Sequence, residues 1–196
     1  MSDATRRGLY IFLAALAVIL GGVVYQEFWL GGAENATPAL GGPFALIDQD
    51  RQPRRDSDFR GKLMLVYFGY TFCPDACPTT LQAISDTLDL LGDKAGGVQP
   101  IFISVDPARD TPEQLKSFAA NFHPGIVYLT GAPDALKQAE GEFRVYVAKV
   151  PQSGSDDYLI DHSSVIYVMG RDGRYLGQLP TGLPPKVMAA SLKRYL

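Results

Sequence analysis

Cys73 and Cys77 are the only cysteines of the chain, and they lie four positions apart in Phe72-Cys73-Pro74-Asp75-Ala76-Cys77-Pro78. Two sulfurs this close can, as thiolates, exchange with a disulfide or hold a soft ion such as Cu(I). A purely structural crosslink is the weaker use, because a disulfide gains most by closing a long loop in the unfolded chain. Type and spacing leave a redox dithiol, a metal pair and an incidental pair all open.

A metal site needs more than two sulfurs. The chain has two histidines, His123 in Phe122-His123-Pro124 and His162 in Asp161-His162-Ser163-Ser164. His162 directly precedes an expected strand, and the end of a central sheet could bring it to the cysteine loop. It is the favoured third ligand, with a polar loop-end role as its ordinary alternative. His123 follows a helix and is the weaker candidate. Asp75 could orient or supply a ligand, or simply face solvent in a turn, and Asp161 fits a turn or an outer partner of a ligand. Structural zinc normally takes four protein ligands, whereas two sulfurs and one nitrogen suit trigonal Cu(I). Cu(II) would ask for a further oxygen, from water, Asp75 or Asp161.

The elements around these residues follow from pattern. Leu63 to Phe68 is an unbroken apolar run inside Lys62–Tyr70, as expected of a strand buried on both faces. Leu81, Ile84, Leu88 and Leu91 then recur at helical spacing, so the cysteines straddle a strand-to-helix junction with Pro78 in the first turn. The start of a helix favours thiolates. Further strands are expected at 98–105, 126–129, 143–150, 164–169 and 175–179, the last two joined by Arg171-Asp172-Gly173. Helices are expected from Thr111 to about Phe122, capped by Thr111 with Pro112 first, from Ala132 or Pro133 to about Gly141, and from Pro184 or Pro185 onward, displaying Val187, Leu192 and Leu196. Phe44, Leu46 and Ile47 suggest a short strand, 48–53 a turn, 54–61 an irregular approach, and 154–157 a loop or hairpin end. Tyr67, Phe68, Tyr70 and Phe72 read as core and pocket wall. Alternating strands and helices give one α/β sandwich domain.

Gly8 to Tyr25 carries no charge, and Phe28, Trp29 and Leu30 prolong its apolar character. As a helix, residues 9–30 would run roughly 33 Å at about 1.5 Å per residue, enough for a hydrocarbon layer of about 30 Å. Arg6 and Arg7 precede it, so the positive-inside rule places 1–8 in the cytoplasm and the remainder outside. No alanine-type cleavage site follows, which favours a retained anchor over a signal peptide. Residues 31–43, rich in Gly, Ala and Pro, read as a tether, leaving 44–196 as the folded domain.

The chain's net charge of −3 comes with no basic tract, which argues against nucleic-acid binding. No Walker, Rossmann or HExxH motif is present, and no Gly-x-Ser-x-Gly elbow accompanies Ser163 and Ser164. No peroxidase-type Pro-x-x-x-Thr-x-x-Cys arrangement occurs either.

Three stretches together are more specific than the cysteine pair: Phe68-Gly69-Tyr70-Thr71-Phe72-Cys73-Pro74-Asp75-Ala76-Cys77-Pro78, Ser104-Val105-Asp106-Pro107-Ala108-Arg109-Asp110-Thr111-Pro112, and Asp161-His162-Ser163, with Leu129-Thr130-Gly131 also in order. Over nearly all of 43–196 the chain resembles the Sco/SenC family of copper-handling assembly proteins. That resemblance implies a thioredoxin-like fold, a central mixed sheet flanked by helices behind an N-terminal transmembrane helix. It also implies copper ligation by Cys73, Cys77 and His162, and delivery to the dinuclear copper centre of cytochrome c oxidase. The stretch Asp48-Gln49-Asp50-Arg51-Gln52-Pro53 departs from the family in lacking the plain Asp-x-x-Gly turn, and 151–157 is compact and rich in Gly and Ser.

The leading expectation is a membrane-anchored metallochaperone of a bacterial inner membrane, its domain in the periplasm. Its partners would be the oxidase's copper-centre subunit and other copper chaperones or thioredoxin-like reductants. A target-specific thiol-disulfide oxidoreductase using Cys73 and Cys77, and a copper or redox sensor, are the alternatives.

Overall fold

The computed structural model describes residue 7 and residues 13–22, 40–152, 154 and 157–196. The chain divides into two units, Met1–Pro38 and Ala39–Leu196. In the first, residues 13–22 are helical and exposed, with Leu13, Leu16, Val18, Ile19 and Leu20 turned outward. Among the described residues no helix is long and apolar enough to cross a membrane. The span expected over 9–30 lies largely outside the described residues, as do most of 1–8 and of the tether.

The second unit is built on β1 (Ala45–Asp48), β2 (Pro53–Arg55), β3 (Leu63–Gly69), α1 (Ala76–Leu91), β4 (Val98–Ser104), α2 (Pro112–Ala119) and β5 (Val127–Thr130). It continues through α3 (Pro133–Phe143), β6 (Val147–Pro151), β7 (Tyr158–His162), β8 (Val165–Met169), β9 (Tyr175–Pro180) and α4 (Pro185–Leu192). Seven strands form a mixed sheet in the order β2-β1-β5-β4-β3-β8-β9, with β3, β4 and β5 parallel and the other neighbours antiparallel. β6 and β7 form a separate antiparallel pair.

Every residue of β3 is buried, as the unbroken apolar run requires of a strand covered on both faces. Tyr67 and Phe68 point to opposite faces. Tyr67 meets Phe102 of β4, which packs on Phe118 of α2, and Phe68 meets Phe143 of α3. α1 buries Leu81, Ile84, Leu88 and Leu91, the residues whose spacing announced it. Thr111 caps α2 by accepting from the Gln114 N–H at 3.2 Å, with Pro112 at the first position.

Several expectations need correction. The approach at 54–61 is not irregular: it holds β2 and a 3-10 turn, Asp56–Phe59. Lacking a glycine, the preceding turn places Arg51 at φ 62, and the Asp48 carboxylate accepts the Asp50 and Gln52 N–H groups to hold it. α2 stops at Ala119, short of Phe122, and α3 runs on to Phe143, so β6 starts at Val147 after a left-handed Arg144. β7 was not expected. In α4, Leu192 is buried together with Met188 and Ala189, while Val187 faces solvent.

Candidate metal centre

The antiparallel pairing of β3 with β8 explains how distant residues meet. Tyr67 lies opposite Ile166, so the chain just after β3 and the chain just before β8 emerge at the same end of the sheet. The first carries the cysteines and the second carries His162.

After Gly69 the chain is pinned by a buried carboxylate. Asp110 accepts the Thr71 N–H at 3.0 Å, the Thr71 hydroxyl at 2.6 Å and the Ser104 hydroxyl at 2.6 Å. Cys73 follows, half-buried, and Cys77 sits in the first turn of α1, fully buried, its N–H donating to Cys73 Sγ at 3.4 Å. Both thiols are free. The room for Cys77 comes from Gly69: a Cβ there would lie 2.8 Å from Cys77 Sγ and 2.7 Å from the Phe102 ring. The Tyr67 hydroxyl donates to Cys77 Sγ at 3.6 Å.

His162 ends β7, and its Nε2 lies 3.6 Å from Cys77 Sγ. Its Nδ1 lies 3.1 Å from the Ser163 carbonyl, which can only accept. The neutral ring therefore carries its proton on Nδ1, leaving the Nε2 lone pair aimed at the sulfur. The rings of Tyr67 and Tyr70 pack against the imidazole at 6.2 and 6.1 Å between centroids.

The two thiols differ in acidity. The hydrogen bond from the Cys77 side chain, helped by the N–H groups of Cys77 and Asp75, brings Cys73 down to about 5 against its partial burial. Cys77 goes up, because it supplies that hydrogen bond and is desolvated. Desolvation and the nearby sulfur charge likewise keep Tyr67 protonated, as a donor. At neutral pH the pair is one thiolate and one thiol sharing a proton.

Among the described residues no group of three or more His, Cys, Asp and Glu side chains is arranged to hold a metal as it stands. Cys77 is the hinge of the three sequence candidates, touching both Cys73 and His162. The other candidates lie elsewhere. His123 faces Asp89 at 3.8 Å, twelve residues up α1 from Cys77 and so roughly 18 Å along the helix. Asp75 is exposed and accepts from the Thr79 hydroxyl at 3.1 Å, and Asp161 points outward from β7. Phe72 is not pocket wall but half exposed. Gly69 and Asp110 were missed as site residues. A lone glycine at the end of a buried strand is the signal that would have marked the first.

A family model described as SCO1/SenC matches residues 32–196. The chain belongs to the SCO1/SenC family. A SCO2-like relative from Rickettsia prowazekii is 44% identical over 138 residues, which cover 70% of this chain and 67% of that protein. The structure of Bradyrhizobium japonicum ScoI with copper bound is 45% identical, covering 81% of this chain and 100% of that one at a TM-score of 0.76. BsSco, the Sco family member of cytochrome c oxidase assembly in which a disulfide switch is identified, is 26% identical, covering 84% and 97% at a TM-score of 0.61. The thioredoxin-like α/β fold implied by the sequence is thus the fold of the SCO1/SenC structures, of which those of Bradyrhizobium japonicum ScoI, Arabidopsis thaliana ScoI and yeast Sco1 have copper bound.

Proposed function

We propose that this chain binds Cu(I) through Cys73, Cys77 and His162 and passes it by ligand exchange to the copper-centre subunit of cytochrome c oxidase. The observation that carries this reading is His162 Nε2 standing 3.6 Å from Cys77 Sγ across 85 positions of sequence. Thiolate and imidazole bonds of about 2.3 and 2.0 Å to one ion, at a trigonal angle, place sulfur and nitrogen about 3.7 Å apart. The donors already stand at that separation. Half-buried Cys73 offers the exposed rim from which an acceptor thiol could take the ion.

In the same reading, residues 1–8 are cytoplasmic, 9–30 form a single-pass anchor in a bacterial inner membrane, 31–43 are a tether, and 44–196 bind copper in the periplasm. The exposed apolar helix at 13–22 supports this, since such a surface suits lipid better than water. Anchoring would raise the encounter rate with a membrane-bound acceptor.

The test is Cu(I) affinity of the reduced full-length chain, by competition with a chromophoric chelator, in wild type, Cys73→Ser, Cys77→Ser and His162→Ala. All three variants should bind more weakly. Unchanged affinity in all three would reject the site. Copper transfer to the acceptor subunit, followed on both proteins, tests delivery.

A second reading, thiol-disulfide exchange, is favoured by the low pKa of Cys73. The Cys73 thiolate would attack a target disulfide and release one target thiolate. Cys77, giving up its proton, would then attack Cys73 in the mixed disulfide and release the second. A mixed disulfide trapped on Cys73 in Cys77→Ser, together with full function in His162→Ala, would favour this role.

A further inference from the structure

The β6–β7 pair belongs to neither edge of the main sheet, so something other than a ladder must hold His162 at the thiols. Along β7 the side chains of Tyr158, Ile160 and His162 share one face. Ile160 is buried and Asp161 is exposed, which shows that this face is the inward one. Among the described residues, three hydrogen bonds join β7 to the body of the domain apart from the Cys77–His162 contact. The Ile160 N–H donates to the Tyr70 hydroxyl at 3.2 Å, Arg109 Nη1 donates to the Tyr158 carbonyl at 3.0 Å, and the Tyr158 hydroxyl donates to Asp106 Oδ1 at 2.7 Å.

Two of these three depend on the Asp106–Arg109 pair. Asp106 is fully buried, and its other oxygen, Oδ2, accepts from Arg109 Nε at 2.5 Å. The guanidinium also stacks. Its central carbon is 3.8 Å from the Tyr158 ring centroid, 4.9 Å from that of Phe72 and 5.7 Å from that of Tyr70. Phe72 and Tyr70 flank the segment that delivers Cys73, and Tyr158 lies on the strand that delivers His162. Arg109 therefore touches both arms of the site without touching any of the three ligands. Among the described residues its buried Nη2 has no hydrogen-bond partner, so the planar group is placed by its stacking as well as by its bonds. A lysine has neither the plane nor the fork.

We propose that Arg109, held by Asp106, is a positioning residue that clamps the His162 strand to the cysteine loop and so sets the third ligand's distance from the sulfurs. The proposal rests on the three-ligand reading above and adds to it a residue that acts only through His162.

A double-mutant cycle on Cu(I) affinity in the reduced full-length chain separates this role from general support of the fold. Arg109→Ala should weaken Cu(I) binding about tenfold or more in the wild-type background, the range seen for residues that orient a ligand. In the His162→Ala background the same change should have less than a twofold effect. Arg109→Lys should fall with Arg109→Ala. In the metal-free protein the Ile160 amide should exchange faster in Arg109→Ala, with the β3 amides unchanged. Tyr158→Phe, which keeps the ring and loses only the hydroxyl, serves if Arg109→Ala does not fold; about a threefold loss is expected, again absent without His162. Wild-type affinity in these variants, or an equal loss in both backgrounds, would overturn the clamp. Wild-type affinity in His162→Ala alone would instead reject the three-ligand site, and the clamp with it.

Discussion

The cysteine arm and the histidine arm of the site are built to different standards. Cys77 lies at 0% exposure against Tyr67, Gly69 and Phe102, in the first turn of a sixteen-residue helix that packs on the central sheet. His162 closes a two-stranded pair outside that sheet, joined to the body by a few side-chain bonds. Rigid burial suits the donors that recognise a soft ion, and a lightly attached third donor suits an ion that must leave again. In the proposed copper site, buried Cys77 would thus supply affinity, and half-buried Cys73 and the lightly attached His162 the route of release.

The sharpest contrast is within the cysteine arm. At pH 6 a thiol at about 5 is largely ionised, whereas an ordinary thiol near 8.5 is ionised below about 1%. Cys73 should be alkylated by iodoacetamide at least a hundredfold faster than buried, protonated Cys77. Because its acidity is raised, the Cys73 rate should hold from neutral pH downward and decline only as the pH falls through about 5. Peptide mapping by mass spectrometry gives both rates, and equal rates would remove the asymmetry.

The two arms should also separate by mutation. Cys77→Ser removes a soft donor and should lower Cu(I) affinity more than a hundredfold, while His162→Ala should cost about ten- to a hundredfold. The reverse order would contradict the division of labour. Amide exchange sharpens it further, since β3 should open only with global unfolding and β6–β7 by local release, with rates differing about tenfold or more. The smallest expected effect is Gly69→Ala, whose new methyl must displace Cys77 Sγ or the Phe102 ring. It should destabilise the domain by about 1–3 kcal/mol in urea unfolding and weaken copper binding with it.

The cysteine arm was legible because its signals are local. An apolar run, two sulfurs and a helical repeat follow one another within thirty residues, and each matches β3, the thiol loop and α1. The histidine arm was legible only as a candidate. Tyr158-Leu159-Ile160-Asp161-His162 is too short and too polar at its end to stand out as a strand, and its bonds to the body of the domain run to Asp106, Arg109 and Tyr70, all distant in sequence. Asp110 illustrates the same limit, because nothing local distinguishes a carboxylate that pins Thr71 from one that faces solvent. Val187 and Phe72 show the converse, apolar residues whose type suggested burial and whose position denies it.

Copper K-edge X-ray absorption on the reduced, Cu(I)-loaded chain tests the central claim most directly. Two sulfurs and one nitrogen are expected around each ion, with the nitrogen lost in His162→Ala and both sulfurs kept. A spectrum with sulfur alone, or a nitrogen that survives that substitution, would contradict it.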